Sequence, residues 1–194
     1  MHAKIYKREL MSEFIRPKPI DKEILLDDTK IIMSKTDAKG FIEYANDYFM
    51  QICGYDEWEL MAENHNVIRH PDMPRVVFKL LWKRLHKGEN IHALVKNLAK
   101  DGSYYWVITN FETQYDENGK IIAHFSRRKK PPRYAIDAII PIYKKLVELE
   151  EAGGMKASEE FLLQYLEDGK YTYDSFILSV LKITKERLDE YFMS

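Results

Sequence analysis

Three extended segments in a row, 91–100, 103–115 and 120–128, constrain this chain more than any other feature. Each is rich in Val, Ile, Thr, Tyr, Trp and Phe, and they are divided by Asp101-Gly102 and by Asp116-Glu117-Asn118-Gly119. Connections this short can only reverse direction, because a parallel neighbour needs a crossover of a dozen residues or more. Three antiparallel strands follow. An earlier pair, Ile31-Ile32-Met33 and Phe41-Ile42-Glu43-Tyr44, is joined by Asp37-Ala38-Lys39-Gly40, where Asp bonds its own turn and Gly accepts positive φ. The order of two strands, short helices, one long helix and three strands is an α+β pattern. It predicts a five-stranded antiparallel sheet with the helices on one face.

The segment between the two strand groups is helical at both ends and irregular in the middle. Asn46 can cap a helix over 47–52 that ends at Gly54, and a second short start lies at Asp56–Leu60. Pro71 and Pro74 then break the run from Asn64 to Pro74, where polar groups are concentrated. Val76, Val77, Leu80, Leu81 and Leu85 recur at helical spacing after it, so Pro74 opens a helix running to Lys87-Gly88, the longest of this domain.

Beyond Tyr134 the strand signal stops. One apolar helical face (Ile139, Ile142, Tyr143, Leu146, Leu149) ends at Gly153-Gly154, with Pro141 at its start or at a kink, and a second (Phe161, Leu162, Tyr165, Leu166) ends at Gly169. A third runs through Phe176, Ile177, Val180, Leu181 and Leu188. The reading is an N-terminal arm over 1–21, a sensor-sized domain over 22–130 and a three-helix extension over 131–194. The short amphipathic stretch at 22–28 opens the domain.

The net charge of −1 conceals an asymmetry: 23 Lys/Arg against 19 Asp/Glu up to Tyr134, and 7 against 12 after it. The basic run Arg127, Arg128, Lys129, Lys130 and Arg133, beside Pro131-Pro132, reads as a solvated linker. It is too small for a nucleic-acid face, and the acidic last helix is no reading helix, so nucleic acid is not an expected partner. No apolar run approaches the roughly 18 residues of a membrane span and no secretory leader precedes the domain, so the expected location is the cytoplasm without membrane insertion. The single Cys53 excludes an internal disulfide and reads as a small buried hydrophobe. No phosphate-cradling Gly loop, nucleophile elbow or candidate triad is present, so a binding role is expected and not an enzyme.

Gly54-Tyr55, the string Asn66-Val67-Ile68-Arg69-His70-Pro71-Asp72-Met73-Pro74, then Leu81-Trp82, Val95-Lys96-Asn97 and Tyr105-Trp106-Val107 together resemble a PAS sensor domain. More narrowly they resemble the Aer type, the flavin-binding redox sensors of bacterial energy taxis. The resemblance covers roughly residues 24 to 130, and its most specific part is the Arg-His-Pro-Asp-Met-Pro string. It implies a PAS fold with FAD between the long helix and the sheet. It also implies signalling by contact with a membrane chemoreceptor or other signalling protein, as in the stand-alone cytoplasmic partners of two-part energy-taxis receptors. Arg69, His70 and Asp72 match the family's FAD-binding motif, and Trp82 a helix tryptophan of the same pocket. Asn97, Trp106 and Asn110 match sheet positions taken to face the cofactor. Where the family opens a strand with tryptophan, Ile91 stands here, followed by His92. PAS domains commonly pair through flanking segments, so the arm is a candidate homodimer surface.

The residues themselves leave alternatives open. Arg69 and Asp72 suit a diphosphate and a ribose hydroxyl, or simply a loop-stabilising ion pair with His70 at the surface. Trp82 suits a flavin stack or an apolar core. Asn97 and Asn110 need hydrogen-bond partners if buried, which a flavin edge or water could supply. Haem is the competing cofactor, with His65 or His70 as axial ligand, or His86 if it faces inward. A cofactor-free dimerisation module is the third reading.

Overall fold

The computed structural model describes residues 16–193. Strands β1 (Ile32–Asp37), β2 (Ile42–Ala45), β3 (Ile91–Leu98), β4 (Tyr104–Tyr115) and β5 (Ile121–Lys129) form one antiparallel sheet in the order β2-β1-β5-β4-β3. The five-stranded α+β architecture expected from the strand order is therefore the one observed. Each hairpin is opened by an aspartate that bonds onward. Asp37 accepts from the amides of Lys39 and Phe41, and Asp116 from those of Asn118 and Lys120.

Helices α1 (Asp47–Cys53) and α2 (Glu57–Leu60), a 3-10 turn at His65–Ile68 and α3 (Arg75–Leu85) connect β2 to β3. The Asn46 side chain caps α1 by accepting from Phe49 N, and also ties it to β1 through Met33 N and Ile31 O. Gly54 closes α1 at φ 73°. Cys53 is fully buried, which pushes its thiol up to about 11. The stretch at 22–28 forms no helix: Glu23 bridges Tyr104 in extended form, and Ile20 N donates to Gly102 O. The last part of the arm, from Arg16, is thus docked on the domain, while residues 1–15 lie outside the described residues.

The basic run read as a linker is instead the end of β5. Strand alternation sends Arg128 inward, to 2% exposure, while Arg127 pairs with Glu112 and Lys129 donates to Tyr191 O on the opposite side. Pairing with both β1 and β4 satisfies this backbone, and that outweighs the local charge density.

After Pro131-Pro132 the chain turns helical. Helix α4 (Arg133–Asp168) leaves helical dihedrals only at Gly154 (φ 74°, ψ −179°), so the break falls there and not at Pro141. The third predicted face splits in two, α5 (Tyr173–Leu181) and α6 (Lys185–Met193), because Lys182 takes a left-handed conformation at φ 54°. This tail covers the outer face of the sheet. Tyr143 donates to Leu94 O at 2.8 Å and stacks on Trp106, and Phe192 stacks on His92.

Gly40 is required by its surroundings. Its φ is +85°, and a Cβ there would lie 2.9 Å from the Trp82 ring. Gly40→Ala is expected to destabilise the fold by about 1–3 kcal/mol and to lower the melting temperature. A thermal melt equal to that of the parent would refute this account of the turn.

Candidate functional site

Between α3 and the inner sheet face lies a cavity of about 460 Å³, within the roughly 300–1,000 Å³ usual for ligand sites. Helix α3 supplies an apolar and aromatic wall through Phe78, Leu81, Trp82 and Leu85. The sheet opposite is largely polar: Thr36 on β1, Asn97 on β3, Thr109 on β4, and His124, Ser126 and Arg128 on β5 all face inward, with Val95 and Phe111 between them. Buried polar side chains on a sheet face cost free energy unless something bonds them. Three arginines (Arg69, Arg75, Arg128) and no carboxylate stand among the described lining residues.

Arg128 dominates the electrostatics. Its Nη2 donates to His65 Nε2 at 2.7 Å and to Ser34 Oγ at 3.0 Å, and the guanidinium sits 5.3 Å above the Phe49 ring. Its Nη1 is buried without a hydrogen-bond partner. Burial lowers its pKa to about 10, so it is still a cation at neutral pH. His65 is the reciprocal case. Burial, and then the Arg128 charge, push it down to about 3, so it is neutral and accepts from Arg128. Asn64 positions it by capping the 3-10 turn through Asn66 N, and the imidazole stacks on Phe49.

Arg69 stands at the cavity between Met73 O, to which it donates at 3.0 Å, and the Phe78 ring. Its Nε is buried and unpartnered, as is Thr109 Oγ1. Burial lowers the Arg69 pKa, and Arg16 and Arg75 lower it further while Glu150 opposes them. These arginines form a cationic mouth. Its backbone bridges Asn97, which places the proline-braced loop against β3.

The remaining expected residues divide between the two faces of the sheet. Asn97 and Trp82 line the cavity, the latter edge-on to His124 at 5.5 Å. Trp106 and Asn110 do not, because cross-strand partners share a face. Asn97 opposes Tyr105, whereas Trp106 opposes Lys96 and Asn110 opposes His92 and Arg127 on the outer face. Asp72 also lies outside the cavity, bound to Lys96 at 2.6 Å and forming no pair with Arg69. His70 is buried rather than at the surface. It packs edge-on against Tyr104, accepts from Asp72 N, and is pushed down to about 4 by burial and by Lys96. The motif thus sends one residue to the cavity and two to its outer support.

For the haem reading, His70 is turned away and His86 is exposed. The Nε2 of His65 already accepts from Arg128. The residues missed from sequence are His65 in its actual role, Arg128, Ser34, Thr109 and Ser126. Strand parity counted through the turn at Asp116–Lys120 would have chosen Arg127, because the register shifts between Gln114 and Tyr115 and only that shift puts Arg128 opposite Thr109.

Residues 42–124 match the model of a family described as PAS fold. The chain is 43% identical over 122 residues to the aerotaxis receptor of Escherichia coli K12, covering 63% of this chain and 24% of the relative. It is 30% identical over 92 residues to the biofilm dispersion protein BdlA of Pseudomonas aeruginosa PAO1, covering 46% and 22%. It spans a quarter or less of either relative. Among solved structures, a light-oxygen-voltage domain studied with a flavin analogue superposes with TM-score 0.51 at 21% identity, covering 57% of this chain and 83% of that one. This last likeness concerns the fold alone.

The depressed His65 gives the fold a signed pH dependence. The unfolded imidazole binds a proton that the folded one refuses, so stability is fully present above pH 6.5 and is lost as pH falls toward about 3. One such proton contributes a slope of about 1.4 kcal/mol per pH unit. In urea denaturation between pH 6.5 and 4, His65→Gln is expected to flatten that slope by up to this amount. An unchanged slope would locate the acid sensitivity elsewhere.

Proposed function

Because the chain carries a PAS domain of the aerotaxis-receptor type, we propose that it is a redox sensor. In this reading it binds FAD between α3 and the sheet and signals by contact with a chemotaxis receptor or another signalling protein in the cytoplasm. The observation that carries the reading is the cavity itself, which combines an aromatic wall, orphaned donors at Arg69 Nε, Thr109 Oγ1 and Arg128 Nη1, and no carboxylate. That donor set fits a planar, acceptor-rich ring with a phosphate arm, since each orphan would gain a partner and the cationic mouth a counter-charge.

A bound flavin supplies reversible electron uptake with a change in the charge and hydrogen bonding of its ring. The chain's own residues then have separate tasks. Arg128 holds a fixed positive charge at the polar side of the cavity, and neutral His65 keeps its guanidinium in place without competing for a proton. Asn97 offers an amide that can turn between donor and acceptor. Trp82, Phe78 and Leu81 exclude water, and Arg69 with Arg75 meets the phosphate arm. His70 and Asp72 brace the loop from outside.

The test is a visible spectrum of freshly purified protein. Oxidised-flavin bands, bleached by dithionite and restored by air, are expected. Arg128→Gln and Arg69→Ala should each weaken FAD binding by one to two decades, the equivalent of about 1.5–3 kcal/mol for a hydrogen bond to a charged group. Asp72→Ala should bind within a few-fold of the parent. Colourless protein that takes up no added FAD, or a Soret band, would overturn the reading.

A further inference from the structure

Helix α3, which forms the apolar wall of the cavity, has no cap of its own: Pro74 stands at its N-cap position without a capping side chain. The cap comes from the tail. Glu150, 74 residues beyond Val76, is 8% exposed. It accepts from Val76 N at 2.9 Å through Oε1 and from Arg75 Nε at 3.0 Å through Oε2. One carboxylate therefore satisfies an otherwise free amide of the first turn and fixes Arg75, a residue of the cavity lining.

Glu150 also lies just before the break in α4. Up to that point the tail is fastened to the sheet, through Tyr143 on Leu94 O and Trp106. Beyond Gly154 it gains further ties to α3, through Glu159 on Lys79 and Asp174 on Arg84, before α6 returns to the sheet at His92 and Lys129. Gly154 itself, at φ 74° and ψ −179°, occupies a backbone region open essentially to glycine, and a Cβ there would meet nothing within 4 Å. The joint thus exists for its dihedrals and not for close packing.

We infer that Glu150 makes the tail a working part of the cavity: it positions the first turn of α3 and Arg75, so the state of the cavity and the placement of the tail beyond Gly154 are coupled through one carboxylate. Glu150 is a positioning residue here, and the ligand side of the coupling rests on the flavin reading. Coupling of this kind is reciprocal. What the tail does to ligand affinity, the ligand does to the tail.

The full chain serves for the test, as parent, Glu150→Ala, Glu150→Gln and Glu159→Gln, the last being a tail-to-α3 contact that does not reach the cavity. Hydrogen exchange without ligand should show the Val76 amide exchanging about tenfold faster in Glu150→Ala and at the parent rate in Glu159→Gln. FAD titration should show Glu150→Ala binding about tenfold more weakly. FAD should slow exchange at Val76 and over 155–168 in the parent, and lose that effect over 155–168 in Glu150→Ala. Should Glu150→Ala not fold, Glu150→Gln, which keeps the shape and loses the charge on Arg75, should show the same changes in smaller degree. Val76 exchange or FAD response equal to that of the parent in the Glu150 variants overturns the coupling. A parent that takes up no FAD while Val76 protection still depends on Glu150 overturns the flavin reading alone and supports the clamp between tail and cavity wall.

Discussion

A guanidinium taken out of water loses several kcal/mol of hydration, and the protein returns little of it to Arg128. Among the described residues no carboxylate faces it; His65, Ser34 and the Phe49 ring supply two hydrogen bonds and a cation–π contact. Much of the inner architecture follows from that one placement. His65 has to stay neutral to accept from it, and its stacking on Phe49 holds the imidazole where Nε2 can do so. Ser34 and Ser126, opposed across β1 and β5, lie 3.0 Å apart at their hydroxyls and continue the polar row. A sheet built only to pack against α3 would carry valine or leucine at these positions, at lower cost. The polar row is therefore the feature on which the proposed ligand site rests.

The division between legible and illegible features follows the range of the physics involved. The succession of strands along the chain, the aspartate turns, the Asn46 cap and the break after Gly153 depend on neighbours within a few residues, and each was readable. The inward direction of Arg128 depends on pairing with two strands, one of them some ninety residues away, and charge density alone pointed to solvent. Trp106 and Asn110 failed for a related reason. Assigning a face requires the register, and the register between β3 and β4 puts Asn97 opposite Tyr105. In the Arg69–Pro74 string the three polar residues part company: Pro71 turns the chain, so Arg69 enters the cavity while His70 and Asp72 support it from behind.

The charge asymmetry between the two halves has a structural counterpart. Arg75, Lys79 and Arg84 run along α3 and meet Glu150, Glu159 and Asp174 from the tail. A positive excess in the first 134 residues and a negative one beyond them thus converge on the helix that walls the cavity. Arg133, at the start of the tail, adds a pair with Glu23. The stretch at 22–28 and the beginning of the tail are thereby fixed to each other as well as to the sheet.

Magnitudes decide what this ladder of charges does. Exposed ion pairs contribute about 0–1 kcal/mol each. Leu162, Leu166, Tyr173, Phe176, Ile177 and Leu181 are all buried in the same docking, and burial of six such side chains is worth on the order of 10 kcal/mol. Apolar contact, not charge, keeps the tail in place. The ladder instead sets its register along α3, because apolar surfaces tolerate sliding and a carboxylate held at 2.9–3.0 Å by an amide and a guanidinium does not. A tail fastened this firmly is poorly suited to signal by detaching. Displacement suits it better: a shift of α3 pulls on Glu159 and Asp174, and Gly154, whose dihedrals are open essentially to glycine, is the joint between them and the part of α4 fastened to the sheet through Tyr143.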